Sequence, residues 1–189
     1  MIYTPREDSY LLAEQVKLFS NGCSVLDIGS GSGIQALTAL SSGAISVLTS
    51  DINPDAVKLL ISLGLKSIKS NLFEKITGKF DLIIFNPPYL PENPDEPQDS
   101  KLITTAGKNG DEIVLKFLKQ AKTHLNKSGS ILIVLSSLTP RERISTLLDN
   151  LGFHSTLLDS KKIFFETLEI WKIKKTMCHR TLNLKNVSS

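Results

Sequence analysis

Ser24-Val25-Leu26-Asp27-Ile28-Gly29-Ser30-Gly31-Ser32-Gly33-Ile34 is the stretch on which the fold turns. Residues 24–28 read as a short strand and residues 34–40 as a helix. Between them, three glycines at alternate positions allow a tight turn whose backbone passes close to a ligand. Working outward, the strand-to-helix alternation repeats. Upstream, Leu11, Leu12, Gln15, Val16 and Phe19 form a helical pattern that Asn21-Gly22 stops. Downstream, residues 45–49 predict a strand, 55–63 a helix, 65–69 a short strand and 80–85 a fourth strand. An amphipathic helix is expected over 111–125, a fifth strand over 130–135, and a helix begun by Pro140 over 141–150. Residues 153–158 and 164–173 alternate apolar and polar side chains, as an antiparallel hairpin with one solvated face does. The expected class is α/β: a Rossmann-like, seven-stranded, mostly parallel sheet with helices on both faces and a C-terminal antiparallel hairpin.

The 189 residues, 41% hydrophobic and 22% charged, have the composition of one soluble domain, a size that buries roughly 70% of the unfolded surface. That domain is expected over residues 1–175, with 176–189 a polar, basic, flexible tail. No apolar run nears the ~20 residues of a membrane helix, and no basic-then-apolar leader opens the chain, so the expected location is the cytoplasm, without membrane contact. Cys23 and Cys178 lack Cys-x-x-Cys spacing, and His124, His154 and His179 lie far apart, so no disulfide framework and no metal site are expected.

The net charge of +3 is unevenly placed: Lys172, Lys174, Lys175, Arg180 and Lys185 follow the last acid, Glu169, which leaves residues 1–169 at −2. The body therefore lacks the basic excess that a nucleic-acid enzyme carries. Residues 87–97 hold five prolines and three acids, which excludes helix and central strand. Counted to Gly110, this loop is about 25 residues long, beyond the ~15 above which loops in compact domains are commonly functional or disordered. It follows the carboxyl end of a strand, the side on which open α/β sheets bind ligands. Asp81, Glu92, Asp95, Glu96 and Asp99 stand without a base between Lys79 and Lys101, a field that repels a phosphate backbone.

The glycine loop, with Gly29, Gly31 and Gly33, points to a nucleotide-like cofactor. A dinucleotide fingerprint needs Gly or Ala at position 34, and Ile34 stands there. Asp27 ends the first strand where a pyrophosphate would meet a carboxylate, whereas S-adenosylmethionine brings an ammonium and a sulfonium and no phosphate. Asp51, 24 residues on and followed by Ile52, ends the second strand, where a carboxylate can take both ribose hydroxyls. Asn71 and Leu72, after the third strand, stand where an amide can read the edge of adenine.

Asn86-Pro87-Pro88-Tyr89 directly follows the fourth strand. Consecutive prolines rigidify the backbone and leave carbonyl oxygens without ladder partners. An amide or aromatic amine is a poor nucleophile because its lone pair is delocalised, so methyl transfer requires an NH2 that is gripped and aimed. The Asn86 side-chain oxygen and the Pro87 carbonyl can accept both of its N–H bonds, while Tyr89 packs against the planar target. Asn86, Pro87 and Tyr89 are thus the catalytic candidates, Asn86 through Tyr89 the substrate contacts, and Asn86 also borders the cofactor.

These residues resemble the HemK-type glutamine N5-methyltransferases that modify class I peptide-release factors, and in particular their short archaeal and eukaryotic branch. Besides the glycine loop and Asn86 to Tyr89, the resemblance rests on Tyr3-Thr4-Pro5-Arg6-Glu7-Asp8-Ser9-Tyr10-Leu11-Leu12, on Asp51-Ile52-Asn53-Pro54-Asp55-Ala56, on Ala106-Gly107-Lys108-Asn109-Gly110 and on Glu166-Thr167-Leu168. It covers roughly residues 2–174 and implies a class I methyltransferase fold and the glutamine of a Gly-Gly-Gln loop as target. It also implies that the N-terminal signature closes over the cofactor, which places Ser9, Tyr3 and Pro5 there. Two departures stand out: Asn71 occupies a position where many relatives have Asp, and the bacterial branch's extra N-terminal recognition domain is missing. The short branch pairs with a small zinc-binding activator subunit, and a strand over 65–69 at a sheet edge, beside apolar Leu65 and Ile68, is its expected docking place. Three other readings stay open from the residues alone: an N6-adenine or N4-cytosine nucleic-acid methyltransferase, a protein lysine methyltransferase, and a non-catalytic cofactor-binding scaffold.

Overall fold

A computed structural model describes residues 2–88 and 109–176. In chain order the elements are α1 (Glu7–Phe19), β1 (Ser24–Ile28), α2 (Ile34–Ser41), β2 (Ser46–Asp51), α3 (Pro54–Ser62), β3 (Lys66–Lys69), β4 (Phe80–Phe85), α4 (Glu112–His124), β5 (Leu125–Ser136), α5 (Arg141–Leu151), β6 (Phe153–Lys162) and β7 (Thr167–Lys175). They build one seven-stranded sheet in the order β3-β2-β1-β4-β5-β7-β6. The pairs from β3 to β5 are parallel, while β7 runs antiparallel to both β5 and β6.

Because successive side chains on a strand point to opposite faces, the central strands feed two cores. Leu26, Ile28, Ile83, Phe85, Ile131 and Ile133 pack with Phe117 and Leu118 of α4 and with Ile144 and Leu148 of α5. Val25, Leu82, Ile84, Leu132 and Val134 pack with Leu12 and Val16 of α1, Ala36 and Ala39 of α2, and Leu60 of α3. Both faces are covered, which is why these strands read as nearly unbroken apolar runs. No helix among the described residues is long and apolar enough to cross a membrane.

The element boundaries depart from expectation in the second half. A strand is expected only from residue 130, yet β5 begins at Leu125, which pairs with Phe80 across a register irregularity. Gly129 is required there, since a Cβ would lie 2.9 Å from the Phe80 carbonyl oxygen. β6 runs past residue 158 to Lys162, because an irregularity between Leu157 and Asp159 breaks the alternation while polar Ser160, Lys161 and Lys162 still pair with β7. Conversely, Phe164 and Phe165 are not strand: they form the tip of the hairpin, 98% and 93% exposed, closed by Ile163 N–H donating to the Glu166 carbonyl at 2.9 Å.

β3 is an edge strand as expected, but its apolar neighbour Leu65 is not on the surface. Leu65 is buried against the end of the glycine loop, and Ile68 is partly buried. Ile61 and Leu63, which precede β3 in the chain, are exposed. The expected proline-rich loop lies outside the described residues apart from its first and last positions, and so do Tyr89, Ala106 to Lys108, Cys178, His179 and the tail beyond Thr176. Thr176 itself still donates to the Gly152 carbonyl at 2.8 Å.

Candidate active site

A cavity of about 770 Å³ opens over the carboxyl ends of β1, β2 and β4, lined among others by Tyr3, Ser9, Asp27, Gly29, Gly31, Asp51, Ile52, Asn71, Leu72, Asn86, Pro87 and Pro88. This is the size range of small-molecule sites, at the position where open α/β sheets bind ligands.

Its floor is the glycine loop. Gly29 and Gly31 adopt φ of 65° and 50°, in the left-handed region that side chains disfavour. The loop is moored to β2: Gly29 N–H and Ser30 N–H both donate to the Ser50 carbonyl, at 2.8 and 3.1 Å. Asp51 completes the mooring, accepting the Gly31 N–H on Oδ2 at 2.9 Å and the Asn53 N–H on Oδ1 at 2.8 Å. Each carboxylate oxygen retains acceptor capacity after one such bond. Gly33 does not line the cavity. Its φ is 84° and an added Cβ would lie 2.9 Å from Leu60 Cδ2 and 3.3 Å from Leu65 Cδ1, so its task is to let α2 start against α3.

Asp27, at the end of β1, is 1% exposed. Burial, opposed by a hydrogen bond to Ser30 and reinforced by the charge of Asp51, pushes its carboxyl up to about 7. Its Oδ2 is buried without a hydrogen-bond partner. A buried acceptor left open in a cavity wall suits a cationic ligand group.

Beside Asp51, whose carbonyl accepts the Ser70 N–H at 3.0 Å, the turn after β3 carries Asn71 and Leu72. Leu72 has φ of 51°, the sole non-glycine left-handed residue among those described, a strained conformation stabilised by Ser70 Oγ donating to the Leu72 carbonyl at 2.9 Å. The Asn71 amide NH2 is engaged with Glu74 at 2.8 Å, which turns the side chain partly to a local capping role. Ile52 stands half exposed at the other side of the opening.

Asn86 follows β4, whose last residue, Phe85, stacks on Phe117 with ring centroids 4.4 Å apart. Its Nδ2 donates to Asp8 Oδ2 at 2.9 Å, and its Oδ1 is buried with no partner. Pro87 is buried and Pro88 half-buried beside it. Tyr3 and Ser9 reach the same carboxylate: the Tyr3 hydroxyl lies 3.0 Å from both Asp8 oxygens, and Ser9 approaches Oδ1 through its N–H at 2.7 Å. Burial, the charge of Asp8 and the hydrogen bond to it all drive the Tyr3 phenol well above its ordinary range. Pro5 is half-buried outside the lining.

Asp8, Gln35, Ile163 and Glu166 are among the lining residues that sequence reasoning did not assign to the site. Asp8 stood within the N-terminal signature, but its own role read only as that of an acid in the first turn of a helix. Gln35 donates its Nε2 to the Ser9 carbonyl at 2.8 Å, pinning the N-terminal segment to α2, and leaves Oε1 buried and open. Ile163 and Glu166 come from the β6–β7 turn, with Glu166 accepting from Ser136 Oγ. No local pattern announces that this turn returns to the cavity. Among the described residues no group of three or more His, Cys, Asp or Glu could hold a metal ion. His124 stacks on Phe73 and bonds the Gly78 carbonyl, and Cys23 lies against the Phe19 carbonyl.

The methyltransferase small domain matches residues 7–165, most of the chain. The chain belongs to that family. A relative from Methanocaldococcus jannaschii, provisionally named a protein N5-glutamine methyltransferase, is 38% identical over 91% of this chain and 92% of its own length. The Homo sapiens methyltransferase HEMK2 is 26% identical over 93% of this chain and 90% of its own. Among solved structures, the E. cuniculi Mtq2–Trm112 complex, described as responsible for methylating the termination factor eRF1, superposes with a TM-score of 0.76 at 25% identity, over 93% of this chain and 99% of that one. The sheet order and the antiparallel hairpin are those of a class I methyltransferase, and the chain is an enzyme of that kind.

Proposed function

We propose that this enzyme moves a methyl group from S-adenosylmethionine to the side-chain amide nitrogen of a glutamine, the one in the Gly-Gly-Gln loop of a class I peptide-release factor. The observation that carries the reading is Asn86 Oδ1, a buried and unpartnered acceptor that shares one cavity with the open Oδ2 of Asp27.

When bound, S-adenosylmethionine supplies a methyl group activated by a sulfonium, together with an ammonium, a ribose and an adenine. The residues present fit those groups. Asp27 Oδ2 would accept from the ammonium, and Asp51 from the ribose hydroxyls through the lone pairs that Gly31 and Asn53 leave. Ile52 and Leu72 would flank the adenine, Asn71 would meet its edge, and Tyr3 and Ser9 would close the cavity from above. On the target side, Asn86 Oδ1 and the Pro87 carbonyl would accept the two N–H bonds of the glutamine amide, and Tyr89 would pack on its plane. Holding the NH2 by both hydrogens orients the nitrogen lone pair without a strong base, and a single preorganised group of this sort is worth ~10² to 10³ in rate.

The names borne by the archaeal relative and by the eRF1-methylating complex support a protein amide over a nucleobase. The same complex supports a small activator partner, for which the free edge of β3, with Ile61, Leu63 and partly buried Ile68, is the proposed surface. Its zinc, if any, would belong to the partner. The deciding assay is tritiated methyl transfer to purified release factor, tRNA, DNA and histone in parallel, with and without an activator. Label on the release factor, lost when its Gly-Gly-Gln glutamine is replaced, is the expected result; label on tRNA or DNA alone would overturn it. An Ile68→Asp variant that still responds fully to the activator would remove β3 as the docking edge.

A further inference from the structure

Asn86 can serve as a clamp only in one of two orientations. The oxygen and nitrogen ends of a primary amide occupy nearly the same space, and a half-turn about the last side-chain bond exchanges an acceptor for a donor. An Asn86 turned the wrong way would present N–H groups to a reacting nitrogen that itself offers only N–H groups.

We infer that Asp8 is the positioning residue that fixes this orientation. It sits in the first turn of α1, 78 residues from Asn86 in sequence, and is 3% exposed. An ionised carboxylate only accepts hydrogen bonds, so the end of Asn86 that faces it must be Nδ2, and Oδ1 is thereby left facing the cavity. The geometry matches: Nδ2 lies 2.9 Å from Asp8 Oδ2, while Oδ1 has no protein partner. The carboxylate is itself immobilised, since Tyr3 Oη donates toward both oxygens at 3.0 Å, and the Ser9 N–H and Oγ approach Oδ1 at 2.7 and 3.3 Å. Ser9 is held in turn by Gln35 through its carbonyl. Asp8 thus links the segment that closes over the cofactor cavity to the group that would grip the methyl acceptor.

The plainer role for Asp8 is an acid in the first turn of a helix, bonded to the next residue's N–H, and that role contributes stability alone. Three measurements separate the two; the kinetic ones rest on the clamp reading of Asn86, whereas the first needs no substrate. In 15N-resolved spectra of the free enzyme, Asp8→Ala should shift the Asn86 side-chain NH2 pair and speed its exchange with water, leaving the backbone signals of buried β5 residues such as Leu132 and Val134 in place. An unmoved Asn86 pair would overturn the inference whatever the substrate proves to be. In turnover at saturating cofactor and release factor, Asp8→Ala should lower kcat by ~10- to 100-fold, while cofactor affinity, which Asp8 reaches only through Tyr3 and Ser9, should fall less than kcat does. The same substitution on an Asn86→Ala background should add less than about threefold, because it acts through a group already gone. Additive losses, or a cofactor affinity that falls as far as kcat, would also overturn it.

The reciprocal exchange guards against a variant that fails to fold. Asn86→Asp alone sets two carboxylates face to face. Adding Asp8→Asn restores a donor between the two positions and leaves one carboxylate oxygen at position 86 free to accept. The pair should recover at least tenfold over Asn86→Asp alone, and absence of rescue counts against positioning. If Asn86→Ala itself is silent while the spectral shift is seen, the clamp reading fails and the Asp8–Asn86 link survives as structure.

Discussion

At the glycine-loop end of the cavity, Asp51 holds backbone N–H groups of Gly31 and Asn53, and the Ser50 carbonyl holds those of Gly29 and Ser30. At the Asn86 end, the corresponding contact joins two side chains across 78 residues of sequence. The first end is moored by the main chain of neighbouring strands, so its shape follows once β1 and β2 pair. The second depends on a helix start meeting a strand end, and on an amide whose two faces differ only in chemistry. A site built this way can lose its reaction geometry without losing its ligand, and the two ends should therefore fail differently when perturbed.

The sharpest break should come at Asn86. Asn86→Ala removes one of two proposed grips on the acceptor, so kcat for methyl transfer should fall by ~10² to 10³, by analogy with other single preorganised donors or acceptors. Cofactor affinity measured by calorimetry should stay within a few-fold. Near-wild-type turnover at saturating substrate would show that the Asn86 end does no chemistry and would dissolve the contrast.

Asp51→Ala should invert that pattern. It removes a charged acceptor for ribose and also frees the Gly31 and Asn53 N–H groups, and hydrogen bonds to charged groups contribute about 1.5 to 3 kcal/mol each. A rise of roughly 10- to 100-fold in the dissociation constant of S-adenosylmethionine is expected in calorimetry, with kcat at saturation far less affected. Preference for NADH in the same titration would mean that the glycine loop serves another cofactor.

Asp27 makes the glycine-loop end sensitive to pH. Its folded carboxyl titrates at about 7 against an ordinary 3.8, so the fold favours the protonated form. The stability it contributes is fully present below about pH 4 and is lost as pH rises through 7. Binding of a cation wants the ionised form, so affinity for S-adenosylmethionine should climb roughly fivefold from pH 6 to pH 7 as that fraction grows. Proton release on binding, seen as buffer-dependent heat, is the companion signal. Asp27→Asn should abolish the climb and stabilise the free protein above pH 7; an unchanged pH profile would take Asp27 out of the ammonium contact.

The smallest effect is expected at Gly33, which belongs to the moored end but touches no ligand space. Gly33→Ala forces a side chain into φ of 84° and against the buried Leu60, at roughly 1 to 2 kcal/mol for the backbone alone. The thermal midpoint should drop by several degrees, while the cofactor affinity of the folded protein is kept. A selective loss of cofactor binding would return Gly33 to the ligand-contacting set.

Features that rest on local rules are readable in the order of the amino acids. The bounds of β1 and β4 follow from short apolar runs, the left-handed turns at Gly29 and Gly31 from the one residue type that accepts them, and the placing of Asp27, Asp51 and Asn86 at strand ends from counting along those strands. Edge strands were legible more poorly: β6 continues through Lys162 because half of its surface faces water and imposes no apolar period, and an irregularity after Leu157 shifts the phase. The groups that complete the cavity are set by long-range packing instead. Asp8, Gln35 and Glu166 are ordinary polar residues in their own segments, and each acquires its partner when α1, α2 and the β6–β7 turn converge on the end of the sheet. The same packing set Gly33 where α2 starts against Leu60 and Leu65, and put Leu65 inside rather than at the edge. Backbone conformation and periodicity are properties of neighbouring residues and are written where they act, whereas a hydrogen bond between side chains far apart in sequence exists only after the chain has closed on itself.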